Sequence, residues 1–328
     1  MWNLQIKSLP IFAILILISY PVFTQLSFKI ETVDIDNFWI AYDNLSGLTS
    51  KKDSLRVIQK NYIDKGTKNF KKLVRYKKLT AESYVYVISK YPKFWKSIRP
   101  LTEKIKFQKN EIDTLYRKFK KYFPRFKAPD ICFAIGCLSS GGTTSRNLLL
   151  IGSEIAAADS TVDESELNDW LKSVVRKPNP LISYVAHETV HTQQHGIPLK
   201  ELPKLFKHRG LTLLNMVILE GSADFLTEEF FGLNINSHIQ SYGNKHECSL
   251  WKEFEKSIST QPFYVYDWLY NGRNAKSRPA DLGYYIGYKV TENYYHKQSN
   301  KHRALKFILH RGKYKRVYLE SEYWKNCP

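Results

Sequence analysis

The sequence predicts a helix-rich α+β protein in which a small sheet lies beside one helix that carries the chemistry. Three observations support this. Lys-rich stretches with apolar residues at helical spacing (Leu55, Ile58, Tyr62, then Phe70, Leu73, Tyr76) fill positions 51–125. Two short apolar runs, 131–135 and 147–152, read as strands on either side of a turn at 139–145. Helical periodicity then returns from about residue 163. The 328 residues, 43% apolar and 25% charged, are enough to bury a core without staples and too ordinary for a disordered or multi-pass membrane chain. No internal repeat of solenoid or propeller length is visible.

The N-terminus has the form of an export signal. A short first segment has Lys7 as its cation, an apolar run follows from Leu9 to Tyr20, and Pro21 breaks it. The run suits a signal-peptide core and falls short of the roughly 20 residues that span a bilayer. Val22 and Thr24 provide the small side chains for a cut near Gln25. The expected organisation is a signal peptide at 1–24, a basic and mainly helical region at 25–125, and a catalytic domain at 126–328. No stable transmembrane anchor is expected, and the expected location is periplasmic or extracellular.

In the mature chain, residues 26–46 begin with strand-like alternation at Phe28, Ile30, Val33 and Ile35. The helical stretch that follows is expected to break at Tyr91-Pro92 and at Arg99-Pro100. The strand at 147–152 is either plain sheet or an edge that binds an extended peptide. Gly141 and Gly142 lack the Gly-Lys-Ser/Thr ending of a phosphate loop and read as a hairpin turn. A helix is expected over 163–175. Cys132, Cys137, Cys248 and Cys327 allow one or two disulfides in an oxidising compartment, or buried thiols.

Charge is concentrated in one segment. Residues 51–127 hold 24 Lys and Arg against 6 Asp and Glu, whereas the rest of the chain holds 26 against 25. Without a groove-reading or RNA-binding motif, the run reads as a solvated helical face, with an anionic cell-envelope surface as a possible contact and no specific nucleic-acid partner.

The most informative stretch is His187-Glu188-Thr189-Val190-His191, an HExxH pattern. Asn179 can cap its helix, Pro180 suits the first turn, and Gly196 followed by Pro198 ends it. Residues i and i+4 lie one above the other on a helix, so both imidazoles can reach one metal ion while Glu188 swings to a water. A metzincin would need Gly and His where Gln194 and Ile197 stand, so that class is excluded. A second helix, 213–231, ends at Gly232 and carries Glu220 and Asp224, also four residues apart. One of these carboxylates can ligate while the other accepts the spare N–H of a ligand histidine. Glu228 shares their face and could substitute for Glu220. Gly221 and Ala223 are small, as close helix approach would require. His195 is rotated away from the two motif histidines and is expected at the surface or behind a ligand.

These paired motifs resemble the gluzincin class of zinc metallopeptidases. More closely, the chain resembles an uncharacterised family of predicted secreted bacterial zinc proteases that is also similar to gliding-motility lipoproteins. The closer likeness rests on Ala134-Ile135-Gly136 with Ser139-Ser140-Gly141-Gly142, Ile151-Gly152-Ser153-Glu154, the HExxH motif, Glu220-Gly221, and Gly283-Tyr284-Tyr285-Ile286-Gly287-Tyr288. The resemblance implies a zincin-like fold with His187, His191 and Glu220 as Zn2+ ligands, Glu188 as general base, and Asp224 hydrogen-bonded to His187. The implied activity is hydrolysis of a peptide or protein by a zinc-activated water, with Glu188 moving the proton. Tyr288 or Tyr285 is a candidate donor to the developing oxyanion, with His208 and Arg209 behind them. The alternative is a non-catalytic metal-binding or scaffold component of a cell-envelope assembly, against which an intact Glu188 argues.

Overall fold

The computed structural model describes residues 26–123, 125–175, 180–196, 209–260 and 265–327. The expected signal peptide, the cut near Gln25, the Asn179 cap and His208 lie outside these residues. The architecture is α+β and rich in helix, with one four-stranded mixed sheet.

The sheet forms from four short runs: β1 (Ile30–Glu31), β2 (Asp130–Ala134), β3 (Gly142–Thr144) and β4 (Leu148–Gly152). Their spatial order is β1-β2-β4-β3, with β1, β2 and β4 parallel and β3 antiparallel to β4. The uninterrupted apolar run of β4 is explained by its position: it is buried along its length between two neighbours. The strand expected at 147–152 is therefore interior, and the outer strand on that side is β3, within the segment expected to be only a turn. Arg146, at φ 57°, makes the reversal between β3 and β4.

The alternation at the start of the chain is mostly helix. After β1, α1 (Val33–Asp43) places Ile35, Phe38, Trp39 and Ala41 in the core. This i, i+3, i+4 spacing, with Asp34 and Asp36 in the first turn, outweighs the short strand-like pattern. The basic region then forms α2 (Lys51–Ile58), which continues into a π-helical turn (Gln59–Ile63), followed by α3 (Lys68–Lys77), α4 (Ala81–Lys90), α5 (Pro92–Lys104) and α6 (Lys109–Tyr122). Pro92 opens α5, but Pro100 lies within it and does not break it. Burial of Ile98 and Thr102 on either side offsets the one backbone hydrogen bond that proline removes.

This basic region has an apolar heart. Phe38, Trp39, Tyr62, Tyr84 and Trp95 pack ring against ring. Tyr62 and Tyr84 each donate a 2.7 Å hydrogen bond to the Ile135 carbonyl, just past β2. Residues on both sides of the expected boundary at 125 thus share one sheet and one hydrogen-bonded junction.

After β4 come α7 (Ser153–Ala156), α8 (Asp169–Val175), α9 (Pro180–Gln193) and α10 (Arg209–Phe231). The helix expected over 163–175 starts at 169 because the Asn168 side chain accepts the Leu171 N–H and caps it. Helix α9 lays Val185, Ala186 and Val190 into the core beside β3 and β4. Gly232, at φ 67°, ends α10. Next follow α11 (Ser237–Lys245), α12 (Glu247–Thr260), α13 (Val265–Trp268), α14 (Gly283–Lys297), α15 (Lys301–Ile308) and α16 (Tyr314–Ser321). Cys248 and Cys327 are paired, and Cys132 and Cys137 are buried thiols. Among the described residues no helix is long and apolar enough to cross a membrane.

Candidate metal centre

Three elements create the site. Helix α9 brings His187, Glu188 and His191 to one face, and α10 brings Glu220 and Asp224 opposite them. Close approach depends on glycine. A Cβ on Gly287 of α14 would stand 1.8 Å from the Val217 carbonyl oxygen of α10, and one on Gly221 would stand 2.1 Å from the Tyr288 nitrogen. The two helices therefore cross nearly backbone to backbone, which fixes where α10 carries its carboxylates.

The side chains converge. His187 Nε2 and His191 Nε2 are 3.1 Å apart, and Glu220 Oε2 lies 3.2 Å from His191 Nε2 and 3.7 Å from His187 Nε2. Ligand atoms of these three residues all lie within 4.8 Å of one another. On the far side of each ring, His187 Nδ1 is 2.8 Å from Asp224 Oδ1 and His191 Nδ1 is 2.8 Å from Gln194 Oε1. The His187–Asp224 pair is short but poorly aligned for a hydrogen bond. Neither atom has another partner among the described residues, so charge attraction is what links them.

This arrangement fits a tetrahedral metal ion. With an acceptor 2.8 Å from each Nδ1, the two Nε2 atoms are left facing each other and Glu220 across the gap, where a cation can replace their protons. Two nitrogens on one zinc at tetrahedral angles stand about 3.3 Å apart, close to the spacing found here. The buried His-His-Glu cluster is compatible with zinc.

Further contacts hold the carboxylates. Tyr270 Oη donates to Glu220 Oε1 at 2.5 Å, leaving Oε2 for the imidazoles. Asn236 Nδ2 donates to Asp224 Oδ2 at 2.7 Å. Gln194 Nε2 donates to the Leu219 carbonyl and Ser222 Oγ, tying α9 to α10 behind the site. Glu228 binds Asn234 and Gln240 and belongs to a separate network. Burial would lower the His187 imidazole, but Asp224, with Glu220 and Glu188, raises it to about 10. For Glu220, burial would raise the carboxyl, but the two imidazoles hold it well below its usual range. Burial raises Glu188, although both histidines oppose this.

The cluster forms one wall of a cleft of about 540 Å³ that also exposes Glu188, Tyr184, Tyr270 and Tyr284. Gly141 and Gly142 line it at the start of β3. A Cβ on Gly142 would meet the Glu188 carboxylate at 2.7 Å, and one on Gly141 the Tyr184 ring at 2.2 Å. Neither glycine needs a positive φ, so their role here is space. The preceding loop is strained, with Cys137 and Leu138 at φ 60° and 52°. Buried Glu154 holds it by accepting the N–H groups of Gly136 and Leu138.

Of the residues singled out from sequence, His187, Glu188, His191, Glu220 and Asp224 come together. Tyr285 and Tyr288 lie elsewhere. Tyr285 Oη donates to Asn244 Oδ1, and the Tyr288 ring packs on Phe225. Tyr284 is the member of that cluster that reaches the cleft, with its ring 6.2 Å from His187. Tyr285 is turned about 100° from Tyr284 around α14, and Tyr288 is one turn farther along. His195 is exposed and meets the His310 ring edge to face. Asn236, Tyr270 and Lys77 at the cleft, and Gln194 behind His191, were not anticipated as parts of the site. Only Gln194, one turn past His191 at the end of α9, had a positional signal.

Residues 170–309, somewhat under half the chain, match a family described as predicted Zn-dependent protease (DUF2268). The matched span includes α9, α10 and α14, hence every member of the cluster. The match supports a zinc protease acting on a peptide or protein. No curated protein and no solved structure matches the chain significantly.

Proposed function

We propose that this chain is an exported zinc peptidase of the HExxH gluzincin kind, with His187, His191 and Glu220 as zinc ligands and Glu188 as general base. The observation that carries the reading is the convergence of two imidazole Nε2 atoms and one carboxylate oxygen in a buried wall next to Glu188, at the edge of an open cleft. Zinc held there supplies Lewis acidity, acidifying water and polarising a carbonyl.

The chain's own residues do the rest. Asp224 and Gln194 fix the ring orientations so that both Nε2 atoms face inward. Glu188, raised by burial, takes a proton from the attacking water on its carboxylate and hands it to the departing amine. Gly142 leaves room for that carboxylate. Tyr284 lines the cleft beside His187, and it takes over the oxyanion-donor role expected of Tyr285 or Tyr288.

In this reading residues 126–328 are the peptidase unit, and β1, Tyr62 and Tyr84 of the region before it pack on that unit. The signal-like N-terminus and the Cys248–Cys327 disulfide support a location outside the reducing cytoplasm. The lysine-rich face at 51–127 suits an anionic envelope surface.

The test is zinc content of the chain from Gln25 onward, beside a His187→Ala/His191→Ala double variant, followed by peptide cleavage with Glu188→Gln. The expected result is one zinc per chain, lost in the double variant, and cleavage that falls at least about a hundredfold in Glu188→Gln with zinc retained. A chain that takes up no transition metal would overturn the reading and favour the scaffold alternative.

A further inference from the structure

We propose that Lys77 binds a carboxylate of the peptide substrate and thereby sets the specificity of the cleft, an inference that rests on the peptidase reading. Lys77 is the last residue of α3 and the one lysine of the basic region among the residues lining the cleft beside His187 and Glu188. A lysine at a helix C-terminus ordinarily complements the helix dipole and keeps its ammonium in water. Lys71 and Lys72 on the same helix find local partners in the Asp64 carbonyl and Asn69 Oδ1. Lys77 is different: it is partly buried, and among the described residues no hydrogen bond or ion pair meets its ammonium.

The acidic groups of the cleft do not satisfy it. Glu188 and Glu220 attract the ammonium at a distance, enough to oppose the cost of burial but not to pair with it. Glu220 is committed to the two imidazoles and Tyr270, and Asp281 accepts the Asn271 N–H. A partly desolvated ammonium without a partner is costly, and an anion delivered by the ligand removes that cost. The location indicates which anion. Tyr76, one residue earlier, hydrogen-bonds Ser145 Oγ at 3.0 Å, so the end of α3 is fastened to the β3–β4 reversal. Lys77, the next residue, thus lines the cleft together with Gly141 and Gly142, on the wall formed by the basic region. A peptide lying in the cleft would present either a Glu or Asp side chain or its terminal carboxylate there.

The test uses the zinc-loaded full chain and three peptides: N-acetyl-Ala-Ala-Glu amide, N-acetyl-Ala-Ala-Gln amide, and N-acetyl-Ala-Ala-Gln with a free C-terminus. Dissociation constants are read by calorimetry, and kcat and KM wherever cleavage occurs. At least one carboxylate-bearing peptide is expected to bind roughly tenfold or more tightly than the Gln amide, as a charge-assisted hydrogen bond implies. An advantage of the Glu amide assigns a side-chain carboxylate, and an advantage of the free terminus assigns carboxypeptidase-type binding.

Lys77→Met should abolish the advantage, while Lys68→Met, at an exposed site on the same helix, should keep it. Lys77→Arg, which keeps the charge, should retain most of it and covers the case in which Lys77→Met folds poorly. A carboxylate that binds zinc directly would keep its advantage in Lys77→Met, and that result would overturn the proposal. The absence of any preference in the wild-type chain would overturn it too. If no peptide is cleaved with zinc bound, the peptidase reading fails, while the calorimetric comparison still decides the role of Lys77.

Discussion

Tyr270 Oη donates a 2.5 Å hydrogen bond to Glu220 Oε1, on the side of the carboxylate opposite the two imidazoles. Tyr270 itself sits at φ 59°, a left-handed conformation that is costly for an aromatic residue. The contact fixes the rotation of the Glu220 carboxylate and polarises its inner oxygen. Partners of this kind, outside the ligands themselves, typically contribute about 10- to 100-fold to metal affinity.

Tyr270→Phe should therefore weaken zinc binding by roughly tenfold with little change in fold. Competition against a chromogenic chelator measures this. An unchanged affinity would mean that the hydroxyl serves the substrate rather than the ligand.

Asp224 and Gln194 orient the two rings from behind. Asp224→Ala should cost about 10- to 100-fold in zinc affinity, because His187 Nδ1 loses its one close acceptor among the described residues. Asp224→Asn keeps an acceptor but not the charge and should fall between the two. Equal affinity in all three proteins would show that the α9 backbone alone fixes the ring.

Glu154 gives stability a pH dependence that is separate from the metal. Its burial outweighs the N–H donors of Gly136 and Leu138 and lifts the carboxyl from 4.5 to about 7. The folded chain thus favours the protonated form. The stability this contributes is complete below about pH 4.5 and is lost as pH rises through 7, up to about 3 kcal/mol in all. Glu154→Gln, which keeps an acceptor for both N–H groups, should flatten that part of the profile. Denaturant titrations of both proteins from pH 5 to pH 8 make the comparison, and parallel profiles would contradict it.

The Gly221–Gly287 crossing should tolerate no side chain. In Gly287→Ala a methyl group would meet the Val217 carbonyl at 1.8 Å, a clash only backbone movement can relieve. We expect a loss of about 2 kcal/mol or more, read as a lower thermal midpoint, together with weaker zinc binding as Glu220 shifts. Gly232→Ala, with open space around the position but φ at 67°, should cost only the backbone strain, roughly 1 kcal/mol.

Reduction of the Cys248–Cys327 bridge, or the paired substitutions Cys248→Ser and Cys327→Ser, removes a crosslink across 79 positions. Loop-closure entropy sets the expected loss at about 4 kcal/mol. Because the bridge joins α12 to the C-terminus rather than to the cluster, zinc affinity should survive under native conditions. Simultaneous loss of both would tie the bridge to the site.

The sequence alone determined the chemistry-bearing pairs. His187 with His191, and Glu220 with Asp224, are each four residues apart, and helix geometry dictates that such residues share a face once the helix forms. The same local rules found α9, α10, β2 and β4. Tertiary structure decided everything that depends on which surfaces meet. The strand pattern at Val33 and Ile35 became helix because the core buries one helical face of α1. Of the three α14 tyrosines 284, 285 and 288, the one in the cleft is Tyr284, because the Gly221–Gly287 crossing sets how α14 is turned. Lys77 and Tyr270 lie far from the motifs in sequence and reach the cleft only because α3 is fastened to the β3–β4 reversal and the segment after α13 turns back toward Glu220. Spacing rules act within one element, whereas packing between elements is a property of the whole chain, and it is packing that completed the cleft.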